Sequence, residues 1–204
     1  MGTVIIDYGV GNLFSLSMGL RKIGESAEIT ADTGKIRNAD RLILPGVGAF
    51  EGAANKLRET GLADLIKSET ANGKPLLGIC LGMQLLFDES YEYGVHKGLG
   101  LISGKVVPLK GYVDKNLKIP HIGWNALEIK KPECPIFKYS EQGDHVYFVH
   151  SFYATDCEAN TAAVTEYSKT VTATVWKDNI YGCQFHPEKS GDKGLKILKA
   201  FCEL

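Results

Sequence analysis

The 204-residue chain is 44% hydrophobic and carries a formal charge of -1, enough apolar material for one substantial core and no basic field to attract nucleic acid or an anionic membrane. Its five cysteines (Cys80, Cys134, Cys157, Cys183 and Cys202) are odd in number, scattered and without a C-x-x-C pair. That argues against a disulfide framework or a zinc site and predicts a reducing, cytoplasmic setting. The opening MGTVIIDYGV has neither a signal-peptide nor a myristoylation pattern, and no apolar run is long enough to span a bilayer, so no membrane association is expected.

In chain order, residues 3–6 (TVII) read as a short buried strand. Asn12 is placed to cap a helix whose apolar positions Leu13, Leu16, Leu20 and Ile23 recur at helical spacing. RLILPG reads as a second strand stopped by Pro45 and Gly46, helical patterns run across residues 50–70, and KPLLGI is another buried strand before a helix beginning near Leu81. Strands alternating with helices predict a parallel sheet covered on both faces. Beyond about residue 98 the texture changes to successive strands: LGLISGKVVPL, NALEIK, HVYFVHSFYA, TAAVTEY and TVTATVWKDNIYGCQF. Lys177-Asp178-Asn179 marks a hairpin turn, and GDKGLKILKAFCEL closes the chain as an amphipathic helix. Pro132 and Pro135 mark a loop, but no linker or internal repeat divides the molecule. The expectation is α/β: a single domain over residues 1–204, with a mixed, mostly parallel sheet flanked by helices and additional antiparallel strands in the C-terminal half.

Gly78-Ile79-Cys80-Leu81-Gly82 has the G-x-nucleophile-x-G form. A strand-to-helix turn this sharp needs glycines beside the nucleophile, and it lifts Cys80 off the sheet toward the positive end of the following helix, which favours thiolate. The other four cysteines lack such an elbow and are expected to be structural. Of His96, His121, His145, His150 and His186, only His186 comes with an acid in fixed relation, in H-P-E. Pro187 favours extended backbone, where residues two apart point the same way, so Glu188 can orient the His186 ring. The predicted triad is therefore Cys80, His186 and Glu188. Leu81 N–H is one oxyanion donor, and the turn LPGVGAF supplies a second from Val47 or Gly48. Gly9-Val10-Gly11, Gly46-Val47-Gly48 and Gly34-Lys35 each lack the residues that complete a nucleotide site, and no histidine spacing suggests a metal, so no cofactor and no metal are expected.

G-I-C-L-G-M-Q, P-G-V-G and H-P-E-K-S together resemble the triad-type, class I glutamine amidotransferases. IIDYGVGNLFS, LPGVGAF, IPHIGWN and YFVHSFY are similar to the glutaminase subunits of imidazole glycerol phosphate synthase, over essentially the whole chain. The resemblance implies that Cys80 attacks the side-chain amide of L-glutamine, that His186 protonates departing ammonia, and that water hydrolyses the glutamyl thioester. It further implies substrate contacts from Gly46, Gly82, Gln84, Glu92, His150, Ser151 and Phe152, the last standing where many relatives carry Tyr. For Gln84 the plain alternative is a solvent-facing helix residue, and for Glu92 a loop carboxylate. It implies a (β/α)8-barrel cyclase as heterodimeric partner, met by Pro120, Trp124, Asn125 and Lys189, with core packing the alternative for Trp124. Other readings are a glutaminase serving a different synthase, such as that of pyridoxal phosphate synthesis, a γ-glutamyl hydrolase, or a catalytically silent glutamine sensor.

Overall fold

The computed structural model describes residues 2–204. Strand β1 (Thr3–Ile6) runs to helix α1 (Leu13–Lys22), then β2 (Ala27–Thr30), α2 (Thr33–Asn38), β3 (Arg41–Leu44), α3 (Phe50–Glu59), α4 (Leu62–Ala71), β4 (Leu76–Ile79) and the single turn α5 (Leu81–Gln84). The second half holds β5 (Glu89–Ser90), β6 (His96–Lys97), β7 (Lys105–Pro108), β8 (His121–Ala126), β9 (Glu128–Ile129), β10 (His145–His150), β11 (Phe152–Thr155), β12 (Thr161–Glu166), β13 (Thr170–Lys177), β14 (Ile180–Cys183) and the terminal helix α6 (Gly191–Cys202).

The main sheet has the order β2-β1-β3-β4-β14-β13-β12-β9. Its first five strands are parallel and the remainder antiparallel. The mixed sheet and the antiparallel C-terminal half thus follow the sequence pattern. β1, β4 and β14 are buried along their whole length, as strands covered on both faces must be. Asn12 caps α1 by accepting from the Ser15 N–H at 3.2 Å, and Asp178 adopts the positive φ of the predicted hairpin turn. A second sheet, β11-β7-β5-β6, and the β10-β8 ribbon stand beside the main one.

The helical patterns at 50–70 are two helices, parted where Gly61 takes φ 73°. Two expectations need correction. The helix after Cys80 lasts only four residues, although Leu85, Leu86 and Phe87 continue its apolar run. Those three are buried on all sides, and their carbonyls accept from Leu99, Gly100, Leu101 and Ile102 instead of from the next helical turn. The stretch 99–104, expected as part of a strand, is the loop that makes these bonds.

Candidate active site

β4 and β14 are neighbouring parallel strands, and both deliver their functional residues at the carboxyl edge of the sheet, where open α/β sheets place their ligands. β4 ends in Cys80, whose backbone sits at φ 56°, ψ -111°, a conformation costly for any side chain and held by the packing around it. A Cβ on Gly78 would lie 2.7 Å from the Gly82 carbonyl oxygen, and one on Gly82 would run into the Leu44 carbonyl oxygen. The two glycines therefore let the elbow fold onto itself and onto β3. With only one helical turn behind it, the elbow offers the sulfur local N–H groups rather than the dipole of a long helix.

Beyond β14 the chain places His186, 3% exposed, with its Nδ1 2.8 Å from Glu188 Oε1. The backbone N–H of His186 donates to the Tyr147 carbonyl, and Ser190 Oγ donates to the His186 carbonyl, so the main chain that carries the imidazole is held on both sides. Burial by itself would lower the His186 pKa. Hydrogen bonds with Cys80 and Glu188, and the charges of both, outweigh burial and raise it to about 9. The ring thus holds a proton at neutral pH, ready for a leaving group. In Glu188→Gln the carboxylate charge is gone and the ring titrates at lower pH, so the alkaline limb of the kcat profile shifts downward. The sign follows from the raised value. The stability contributed by the charged ring is complete below its ordinary 6.5 and lost as pH rises through about 9. An unmoved alkaline limb in a pH-rate profile of the variant would remove Glu188 from this role.

A cavity of about 370 Å³ opens over the sulfur. Val47, Gly48 and Leu81, the expected oxyanion donors, border it, and Gly48 takes φ 92°, which only glycine adopts without strain. Gln84, Glu92, His150, Ser151 and Phe152 line the remainder. Gln84 is 6% exposed, which excludes the solvent-facing alternative; its amide donates to the Phe152 carbonyl at 3.0 Å and to Gln184 Oε1 at 3.1 Å. Glu92 does lie in a loop, but its Oε2 accepts from the Phe50 N–H at 2.6 Å, supplying the cap that Ala49 cannot give α3. Gly46 and Gly82, expected as substrate contacts, are not among the residues that line the cavity. A Cβ on Gly46 would lie 2.9 Å from the Gly82 nitrogen, so the pair serves the close approach of two turns beneath the floor.

Of the expected partner residues, Pro120 and Lys189 stand on the rim of this same cavity. Trp124 is 54% exposed, which excludes core packing, and its ring meets Tyr147 at 5.9 Å between centroids. Asn125 is less available than expected, because its side chain bonds to His121 and to the Glu166 carbonyl. Two residues at the site were not foreseen. Gln184, fully buried, donates its amide to Cys80 Sγ at 3.9 Å. The Tyr8 hydroxyl donates to the Pro45 carbonyl at 2.8 Å, tying down the oxyanion turn; burial, and then the Cys80 charge, raise its pKa. Gln184 stands two residues before His186 in the segment that follows β14, a spacing available in QFH; Tyr8 carried none.

A cysteine sulfur set to attack a carbonyl, facing an imidazolium whose proton suits a nitrogen leaving group, defines a cysteine amidohydrolase of the nucleophile-elbow type. Comparison with known proteins gives the family. A family model described as "Glutamine amidotransferase class-I" matches residues 4–203, and the chain belongs to that family. The "Imidazole glycerol phosphate synthase subunit HisH" of Caldanaerobacter subterraneus subsp. tengcongensis is 53% identical over 98% of this chain and 97% of its own. The protein of the same description from Syntrophotalea carbinolica is 47% identical over 98% of this chain and 99% of its own. Among solved structures, one described as "Crystal structure of glutamine amidotransferase" superposes with a TM-score of 0.76 at 19% identity, covering 99% of this chain and 98% of the other, which shows the shared fold.

Proposed function

We propose that this chain is the glutaminase subunit of an imidazole glycerol phosphate synthase of histidine biosynthesis, working in the cytoplasm as a heterodimer with a (β/α)8-barrel cyclase. One observation carries the partner half of this reading. The rim of the cavity at Pro120 and Lys189 runs into an exposed apolar strip formed by Ile119, Ile122 and Trp124, so the mouth of the glutamine pocket and a docking face form one surface. All five cysteines are unpaired and buried, in keeping with a reducing compartment.

The chemistry follows from the geometry. Cys80 sulfur attacks the side-chain amide carbon of glutamine, and the oxygen that becomes negative is met by the Leu81 N–H and by the turn at Val47 and Gly48. His186 passes its proton to the departing nitrogen, giving ammonia and a glutamyl thioester. Acylation removes the sulfur charge, and with it the Cys80 share of the raised His186 pKa. The ring is then a better base for the water that hydrolyses the thioester to glutamate. Ammonia passes to the barrel partner, which forms imidazole glycerol phosphate and aminoimidazole-carboxamide ribonucleotide.

The test is glutamate release from glutamine by the purified chain alone, with the barrel synthase, and with the synthase plus its nucleotide substrate. Strong stimulation by the loaded synthase is expected. Equal rates in all three mixtures would retain the glutaminase and discard the partner.

A further inference from the structure

Beside the triad lies a pair of histidines whose hydrogens do not add up if both rings are neutral. His121 on β8 and His150 at the end of β10 stand directly opposite each other in the antiparallel ribbon. His121 Nδ1 is 3.0 Å from His150 Nε2, His150 Nδ1 is 2.8 Å from the Phe152 carbonyl oxygen, and His121 Nε2 is 2.8 Å from Asn125 Oδ1. The amide of Asn125 is oriented by its other end, where Nδ2 donates to the Glu166 carbonyl at 2.9 Å. Both outer contacts are therefore acceptors and each requires a ring N–H, while the contact between the rings requires a third hydrogen. Two neutral imidazoles supply two.

One ring must then be an imidazolium for all three bonds to form. His150 is pushed down to about 3 by burial and by its neighbours His121 and His186, against the bond to Phe152, so it stays neutral with its hydrogen on Nδ1. Burial lowers the His121 pKa too, and the Asn125 bond offsets it only in part, so the case for charge on this ring is the proton count and the stacking around it. His121, however, lies stacked between two aromatic faces, Tyr167 at 3.9 Å and Phe148 at 5.0 Å between centroids, where a cation is stabilised by the ring quadrupoles. Of the titratable groups near the pair, His186 acts on His150, Tyr167 stacks on His121 and donates its hydroxyl to the Lys118 carbonyl, and Cys80, Glu92, Tyr93 and Lys189 share the cavity that His150 lines. Among the described residues no carboxylate forms an ion pair with either ring.

We propose that His121 is an imidazolium in the folded chain, a positioning residue that donates from both ring nitrogens and so fixes His150 and the bonds that lead from it to Cys80. His150 Nδ1–H holds the Phe152 carbonyl, which also accepts from Gln84. Gln84 in turn donates to Gln184, and Gln184 donates to Cys80 Sγ. His150 and Gln84 thus converge on one acceptor, the Phe152 carbonyl, so the His121 donor acts on this set of bonds by fixing the His150 ring. The proton count stands apart from any substrate; its effect on glutamine affinity rests on the proposed role of the 150–152 segment.

Nitrogen-15 NMR of ring-labelled histidine in the full chain, with His121→Gln used for assignment, counts the protons without turnover. At neutral pH both His121 nitrogens are expected to be protonated and His150 Nε2 bare; a bare nitrogen on His121 overturns the proposal. Kinetics test positioning. His121→Phe retains the stack but loses the donor toward His150, whereas His121→Gln retains a donor. KM for glutamine is expected to rise about tenfold in the phenylalanine variant and to stay within about twofold in the glutamine variant. If the phenylalanine variant, folded by its melting transition, matches or betters the glutamine variant, the ring merely fills space and the positioning role is overturned.

Discussion

Glutamate release is expected to fall by about three orders of magnitude or more in Cys80→Ala, in the chain alone and in the stimulated complex alike. The size of the loss follows from what the residue does: the thioester route requires a sulfur nucleophile, and water in the same cavity lacks both its nucleophilicity and its fixed approach. The fold should survive. Alanine is smaller than cysteine, and the strained backbone at φ 56° is held by Gly78 and Gly82 rather than by the sulfur. A melting transition near that of the wild type, together with the kinetic loss, checks both halves. Retention of glutamate release would detach Cys80 from the chemistry.

The largest effect on stability is expected two residues further on. Gly82→Ala would drive a methyl group into the Leu44 carbonyl oxygen of β3, whose Leu42, Ile43 and Leu44 are buried in the middle of the sheet. The cost is expected to be about 3 kcal/mol or more. Gly61→Ala is the control. Gly61 has φ 73° and open space where a Cβ would stand, so the substitution carries only backbone strain, about 1 kcal/mol. Urea midpoints of the two variants separate collision from conformation. A Gly82→Ala midpoint equal to that of Gly61→Ala would mean that the elbow does not press on β3.

The elbow and the H-P-E segment were legible because their chemistry is local: a glycine two residues on either side of a cysteine, and an acid two residues after a histidine. The first parallel strands were legible for the same reason, since β1, β3 and β4 are continuous apolar runs. β2 and α2 were not. AEIT lies at the sheet edge with Glu28 and Ile29 exposed, so it shows neither a buried run nor a clean alternation, and the six-residue α2 that follows buries only Ile36. Resemblance puts Gln84 near the substrate, but that its amide is spent on Phe152 and Gln184 depends on contacts across 68 and 100 residues. The same distance hid His121, which has no neighbouring acid in sequence. Its partners are aromatic faces and a second imidazole, brought to it by the pairing of β8 with β10. What local spacing could not encode was the docking of the second half of the chain onto the first.

The position of β14 gives that docking a temporal meaning. It is the last strand in sequence, yet it sits between β4 and β13 in the middle of the main sheet. Until it is inserted, the β4 edge beside Cys80 has no neighbour on that side, and the imidazole, its acid and Gln184 are all missing. During synthesis, a chain long enough to fold its first four strands therefore carries the nucleophile without the means to use it. Such late closure of non-local strand pairs is slow and leaves an open edge while it lasts. Ammonia release is thereby tied to completion of the fold: a half-made subunit cannot waste glutamine.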